Sequence, residues 1–414
     1  MGRIDIKNTE LVWPDKYDEN GKLKKEQRTG PYPFQIVEVI NSPRISGARN
    51  IQQLTLYDVW KGQKGETFEE GWTNKLIWGD NKLVMHSLLE EFAGKIKLIY
   101  IDPPFATGAD FRFRVQIGEE NEEITKEQSI LEAKAYRDTW GRGPDSYLSM
   151  MYERLSLMHD LLAEDGSIYV HTGWQTSHFN RVLLEEIFGP DKFVNEIVWQ
   201  KIRTTKAQTG GFGNVHDNIY LFKRSDSPTY YPQGKELDPN YIQSHYKKDE
   251  TGRMVRGVSL LQKGQGPPRR FGNKTLAPPT GRHWIWGQDR IDEAMAKGLI
   301  RFTSGGRPEK VQFLDQIDGD IVDDMWDDIY PINSQAAESL WYATQKPEDL
   351  LKRIIETSSN KGDLVADFFC GAGTTLAVAE KLERRWIGCD LSRYAIHLTR
   401  KRLLEIGKSK DLIN

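Results

Sequence analysis

The stretch LIWGDNKLVMHSLLEEFAGKIKLIYIDPPF, residues 76–105, sets the fold class. It opens on a short apolar run, Leu76-Ile77-Trp78, that stops at Gly79-Asp80-Asn81. Apolar residues then recur at helical intervals (Leu83, Leu88, Leu89, Phe92), and the partly β-branched run Leu98-Ile99-Tyr100-Ile101 ends in Asp102-Pro103-Pro104-Phe105. Strand, turn, helix, strand, turn is the rhythm of an α/β protein with a doubly wound, mostly parallel sheet.

The same rhythm continues outward from this core. After a polar loop (112–143), Leu148, Met151, Leu155, Met158, Leu161 and Leu162 predict a long amphipathic helix. Asp165-Gly166 then turns into a strand at 167–171, a helix runs to Phe188, and a strand at 193–199 is expected to extend the parallel set. From about Lys201 the alternation fails and Gly, Pro and Arg cluster, most densely at 264–270. Helix signals return after Lys346-Pro347, followed by strands at 364–368 and 386–390 and a closing helix from Ser392. The expected division is therefore an accessory N-terminal arm (1–70), one half of the sheet domain (71–200), an inserted lobe (201–335) and a second half (336–414).

Composition narrows the class. The 414 residues are 28% charged, and no run of about 18 apolar residues offers a membrane span. The N-terminal residues show no secretory pattern, so a cytoplasmic protein is expected. Two cysteines, Cys370 and Cys389, are too few for a disulfide framework or a four-thiolate metal site, and no metal is expected. The net charge of −3 does not by itself suggest a nucleic-acid partner. Its distribution does: residues 201–290 hold 16 Lys and Arg against 7 Asp and Glu, whereas 314–329 hold seven Asp and no base. That acidic run is expected to be a solvated loop.

Chemistry concentrates in two places. The first is Asp367-Phe368-Phe369-Cys370-Gly371-Ala372-Gly373-Thr374-Thr375, between a strand and a helix, with Asp390 ending the next strand. Gly371 and Gly373 let the backbone pass close to a ligand, and an acid 17 positions after Gly373 can grip ribose hydroxyls. This predicts a nucleoside site. The third glycine of a dinucleotide fingerprint is missing, because Leu376 stands there, and no Gly-Lys-Ser/Thr phosphate loop follows.

The second is Asp102-Pro103-Pro104-Phe105. The exocyclic amine of adenine or cytosine is a weak nucleophile because its lone pair is delocalised into the ring. Asp102 can accept one amine N–H and the carbonyl of Pro103 the other, on a turn that the prolines stiffen. Phe105 can stack on a base that has left the duplex. An acid/Asn/Ser-Pro-Pro-aromatic tetrad arises by chance in a chain this long on the order of once in a hundred, so its position at a strand end carries weight.

Together these segments resemble the β-class DNA amino-methyltransferases, in which the catalytic tetrad precedes the glycine-rich loop. They are most similar to the adenine-N6 enzymes of restriction–modification systems. The likeness spans roughly Leu76 to Ile406 and is carried by Gly79-Asp80-Asn81, Asp102 to Phe105 with Thr107-Gly108, Gly211 to Asp217, Thr344-Gln345-Lys346-Pro347 and Asp367 to Thr375. It implies a Rossmann-like methyltransferase fold with circularly permuted motif order, and S-adenosylmethionine as methyl donor. Asp80 would then lie beside the cofactor adenine, Thr344 and Lys346 near its methionine end, and Phe212 or His216 near the flipped base. Phe368, where a proline is common, and Ala343 depart from the usual pattern. Asp rather than Ser at position 102 favours adenine over cytosine on this analogy.

The resemblance also implies double-stranded DNA as partner, with nucleoid association, a companion restriction endonuclease, and a monomer or homodimer. A carbon-5 cytosine enzyme would need a nucleophilic cysteine, usually after a proline, and both cysteines instead fall in the loop and strand just described. In the basic lobe, Arg203, Lys206, Arg253, Arg256, Arg269, Arg270 and Lys274 can meet phosphates, with Trp284 and Trp286 as base or core contacts. Two other readings stay open: an RNA or protein amine methyltransferase, against which the large basic insertion argues, and a silent DNA-recognition subunit, against which the intact Asp102 and glycine loop argue.

Overall fold

The computed structural model describes residues 9–35 (except 15 and 25–29), 72–104, 113–117, 122–126, 143–203 and 211–408, apart from 236, 317–319, 334, 335, 337, 341 and 343. Phe105, Thr107, Gly108 and Lys206 lie outside the described residues. The chain divides into two compact units, one formed by residues 1–233 with 323–414 and the other by residues 234–322.

Among the described residues, the main sheet of the larger unit has eight strands: β1 (Lys75–Trp78), β2 (Ile96–Ile101), β3 (Leu162–Thr172), β4 (Phe193–Gln200), β5 (His216–Lys223), β6 (Met325–Trp326), β7 (Leu364–Asp367) and β8 (Arg385–Asp390). Their order across the sheet is β1-β8-β7-β2-β3-β5-β4-β6. The first five run parallel. Central strands buried on both faces need apolar side chains at nearly every position. The sequences IKLIYI of β2 and LVAD of β7 supply them.

Among the described residues, the helices α1 (Asn81–Phe92), α2 (Pro144–Leu161), α3 (Ser177–Phe188), α4 (Glu348–Ser358), α5 (Thr374–Lys381) and α6 (Arg393–Lys408) accompany the sheet. Each start has a local cause. Asp80 caps α1 by accepting from the Lys82 N–H at 2.8 Å. Pro144 opens α2, and Glu348 and Asp349 occupy the first turn of α4, where the helix dipole favours acids. Helices α1, α2 and α3 pack on one another, as do α4, α5 and α6. The alternation of β3 separates the two groups. Ile168 and Val170 join the apolar cluster with Met85, Leu155, Met158 and Leu183, whereas the Tyr169 hydroxyl meets Ser358 of α4 at 2.8 Å. Truncating a fully buried member such as Leu155 to Ala costs about 2–5 kcal/mol.

Four expectations change. The strand at 193–199 does not extend the parallel set: β5 lies antiparallel between β3 and β4. No helix among the described residues of 201–215 bridges β4 to β5, so the chain turns back rather than crossing over. Because β5 belongs to the main sheet, the compact insertion begins at Gly234 and ends at Val322, inside the 201–335 span. The acidic run is more than a solvated loop. Asp315 is bidentate with Arg253, Asp328 pairs with Arg353, and Trp326 is buried in β6 beside β4. The N-terminal segment contributes to the core as well: Trp13 packs edge-on against Tyr152 of α2 at 5.5 Å, and buried Lys16 bridges Glu10 and Glu186.

The smaller unit has its own four-stranded antiparallel sheet, in the order Ile300–Phe302, Pro308–Phe313, Met254–Ser259, Lys247–Lys248. Its core gathers Leu260, Phe271, Trp284, Ile291, Ala294 and Ile300. Trp284 is thus a core residue, its indole N–H donating to the Leu276 carbonyl at 3.1 Å.

Candidate active site

Strands β2 and β7 are neighbours, yet β2 leads through α2 to β3 on one side and β7 leads through α5 to β8 on the other. Open α/β sheets bind ligands beyond the carboxyl ends of strands at such a reversal. Asp102 directly follows β2 and Asp367 ends β7, with Ala366 opposite Ile99 in register. Pairing between segments more than 260 residues apart in sequence therefore brings the proline turn and the glycine loop side by side.

The loop is held by its own acids. Asp367 is buried, and its carboxylate accepts from the Thr375 hydroxyl at 2.6 Å and the Phe369 N–H at 2.9 Å. Burial pushes its pKa up to about 7, with the nearby Asp102 and Asp390 adding to the rise against those two hydrogen bonds. Asp390 accepts from the Gly371 N–H and the Ser392 N–H, each at 2.8 Å. Packing supplies a reason for Gly373 that the sequence did not show. Gly371 and Gly373 adopt positive φ (+49° and +71°), and a Cβ on Gly373 would lie 2.4 Å from Cγ2 of Thr399 in α6. Gly373 is thus required by helix packing. Only at Gly371, where a Cβ would lie 3.4 Å from the Tyr342 ring, does the loop leave room.

Asn81 at the start of α1 donates to the Phe368 carbonyl at 2.8 Å. Arg154 of α2 donates to Asn81 Oδ1 at 2.6 Å and to Asp80 Oδ1 at 3.2 Å. Gly79 N–H reaches the Asp390 carbonyl at 3.1 Å. Asp80, Phe368 and Asp390 thereby belong to one network. From the other side, Lys346 ion-pairs with Asp102 Oδ2 and donates to the Thr344 carbonyl, while the Thr374 hydroxyl donates to the Lys346 carbonyl at 3.2 Å. Cys370 and Cys389 are buried, and burial raises both thiols well above their usual range, which suits packing rather than nucleophilic attack.

Most of the expected cofactor residues therefore converge with Asp102 and buried Pro103, and Pro104 follows at half exposure. Each expected DNA residue has surroundings of its own. Phe212 is fully exposed. His216 opens β5 opposite Gln200. Arg203 is engaged with the Asp327 carbonyl and lies over the Tyr330 ring. Arg269 and Arg270 sit in a hairpin of the smaller unit, where Arg270 pairs with Asp292. Sequence reasoning missed Arg154 and Arg402. The latter is buried and holds the Ala372 carbonyl at 3.2 Å and Glu348 at 2.7 Å. A lone arginine on an amphipathic helix carries no signal of what lies above it.

Residues 96–401 match the profile of a family described as DNA methylase, with N6 and N4 amino groups in its name. The chain belongs to this family of N6/N4 DNA methylases. Among relatives of the methylase, the type II methyltransferase M.EcaI of Enterobacter cloacae is 32% identical over 82% of this chain and 72% of its own length. The Mod subunit of the type III restriction-modification enzyme StyLTI of Salmonella typhimurium is 26% identical over 88% of this chain, which spans 61% of that subunit. A solved PvuII DNA methyltransferase, titled cytosine-N4-specific, aligns over 82% of this chain and 93% of its own at 14% identity and a TM-score of 0.42.

S-adenosylmethionine is the methyl donor of this family, and the site fits it. Among the described residues, neither Oδ2 of Asp80 nor Oδ1 of Asp102 carries a hydrogen bond, so each carboxylate keeps an acceptor for a ligand amine. No cluster of His, Cys, Asp or Glu among the described residues is arranged to hold a metal ion, and no described helix is long and apolar enough to cross a membrane.

Proposed function

We propose that this methylase transfers a methyl group to adenine N6 in double-stranded DNA, on a base turned out of the helix. The observation that carries the reading is Asp102 at the end of β2, its Oδ2 paired with Lys346 and its Oδ1 left as an acceptor beside the glycine loop of β7. When bound, S-adenosylmethionine supplies an electrophilic methyl group on a sulfonium. Asp80, Thr344, Lys346, Asp390 and the backbone of residues 368–375 would hold it. Asp102 Oδ1 and the Pro103 carbonyl then accept the two amine N–H groups, drawing the nitrogen towards tetrahedral geometry and freeing its lone pair. In that pose the target nitrogen would stand in line with the sulfonium methyl, and Asp102 Oδ1 would be the acceptor for the amine proton given up on methylation.

The smaller unit, with its Arg269 and Arg270 hairpin, is the target-recognition lobe in this reading, and Phe212 and His216 belong to the target side. Phe105 would stack on the extruded base. The name of the StyLTI relative, a Mod subunit of a restriction-modification enzyme, supports a restriction endonuclease as partner in this reading. The test is to express the chain in a host lacking adenine and cytosine amino-methylation, and to sequence modified bases alongside nucleoside mass spectrometry. N6-methyladenine at one sequence context supports the proposal, N4-methylcytosine would make the chain a cytosine-N4 methyltransferase instead, and neither product overturns both assignments.

A further inference from the structure

A chain of buried polar side chains crosses the sheet directly beneath the site. The Tyr100 hydroxyl of β2 lies 2.9 Å from Nδ1 of His171 in β3, Nε2 of His171 lies 3.2 Å from Oδ2 of Asp217 in β5, and Lys201, just past β4, donates to Asp217 Oδ1 at 2.6 Å. Tyr100, His171 and Asp217 are each no more than 2% exposed. All four residues sit at the ligand-binding edge, because β5 runs antiparallel and places its start there. Asp102 follows two positions after Tyr100, just past the end of the strand, and its charge acts on the buried Tyr100 hydroxyl.

We propose that Tyr100, His171, Asp217 and Lys201 form a positioning chain that fixes the Asp102 turn and ties it to the root of the 201–215 segment. Asp217 is held down to about 2, against the cost of its burial, by His171 and Lys201, so it is a carboxylate that accepts from both. With Nε2 of His171 turned to Asp217, Nδ1 is left to share a hydrogen bond with the Tyr100 hydroxyl. The Trp199 ring packs edge-on to the imidazole at 5.7 Å and fixes its plane. At the far end, the Lys201 and Ile202 N–H groups donate to the Val215 carbonyl at 2.9 and 3.1 Å, closing the base of the segment that presents Phe212. An apolar trio of similar shape would hold the sheet as well or better. The polar chain is therefore explained by what it orients.

This inference rests on the reading of Asp102 as the amine acceptor. Its test uses the purified full chain and a DNA that the wild type methylates. Tyr100→Phe removes only the hydroxyl. It is expected to lower kcat about tenfold while KM for cofactor and DNA stays within about twofold and the thermal midpoint holds. The 15N resonance of His171 Nδ1 should shift in the same variant. Asp217→Asn should also lower kcat, and adding Lys201→Gln, which can accept from the new amide, should restore at least half of the loss. An unchanged kcat in Tyr100→Phe, or a loss that follows the thermal midpoint, overturns the chain. Turnover retained in Asp102→Ala on the same DNA overturns the reading of Asp102 instead.

Discussion

Lys346 donates its ammonium to Oδ2 of Asp102, joining the residue two positions before α4 to the residue after β2 across 244 positions of sequence. Both side chains are largely buried, at 13% and 17% exposure. The pair engages Oδ2 and leaves Oδ1 as the acceptor that the proposed function uses.

Replacing Asp102 by Ala should reduce methyl transfer to below about 1% of wild type while S-adenosylmethionine still binds. Tritiated-methyl transfer and titration calorimetry check the two halves separately. Substantial residual turnover would remove Asp102 from its role.

Gly373→Ala should destabilise the fold by about 2 kcal/mol or more. It places a Cβ 2.4 Å from Thr399 at a φ of +71°. Gly371→Ala meets its neighbour at 3.4 Å and should cost less, about 1 kcal/mol of backbone strain. Urea unfolding of the two variants gives the order, and equal losses would contradict it.

Stability should fall as pH rises from about 4 to about 7, and Asp367 is the cause. Its folded pKa of about 7 lies above the ordinary value of 3.8, so the folded state binds the extra proton in that window. The contribution is complete below the unfolded value and is lost on passing through the folded one, for a full span of roughly 4 kcal/mol. Asp217 runs the other way, losing its contribution only as pH falls from about 4 towards 2. Asp367→Asn should flatten the curve between pH 4 and 7 in denaturant titrations. An unaltered slope would assign the dependence elsewhere.

Removing Arg269 and Arg270 together should weaken DNA binding and flatten its salt dependence by up to about two units of slope. Fluorescence anisotropy at several salt concentrations measures this. A slope equal to wild type would take the hairpin out of the interface.

Much of the site was legible because its residues announce themselves locally. Two prolines after an apolar strand, or two glycines between a strand and a helix, are unusual enough to read without a fold. The antiparallel β5 was not legible, since His216–Lys223 follows a glycine-rich stretch that looks like lobe, and only pairing with β3 and β4 assigns it to the sheet. Nor could Gly373 be read correctly, because its neighbour Thr399 lies on a helix that sequence reasoning had no way to dock against it.

By itself the sequence determined the α/β class, the strand-end position of Asp102 and the glycine loop, since these follow from short-range periodicity and backbone stereochemistry. The tertiary structure decided what each acid faces: Asp367 turned inward to Thr375, Asp102 paired with Lys346, and Asp217 bound to His171. Those partners are remote in sequence, and hydrogen bonds of a few ångströms form only after the strands have taken their places in the sheet.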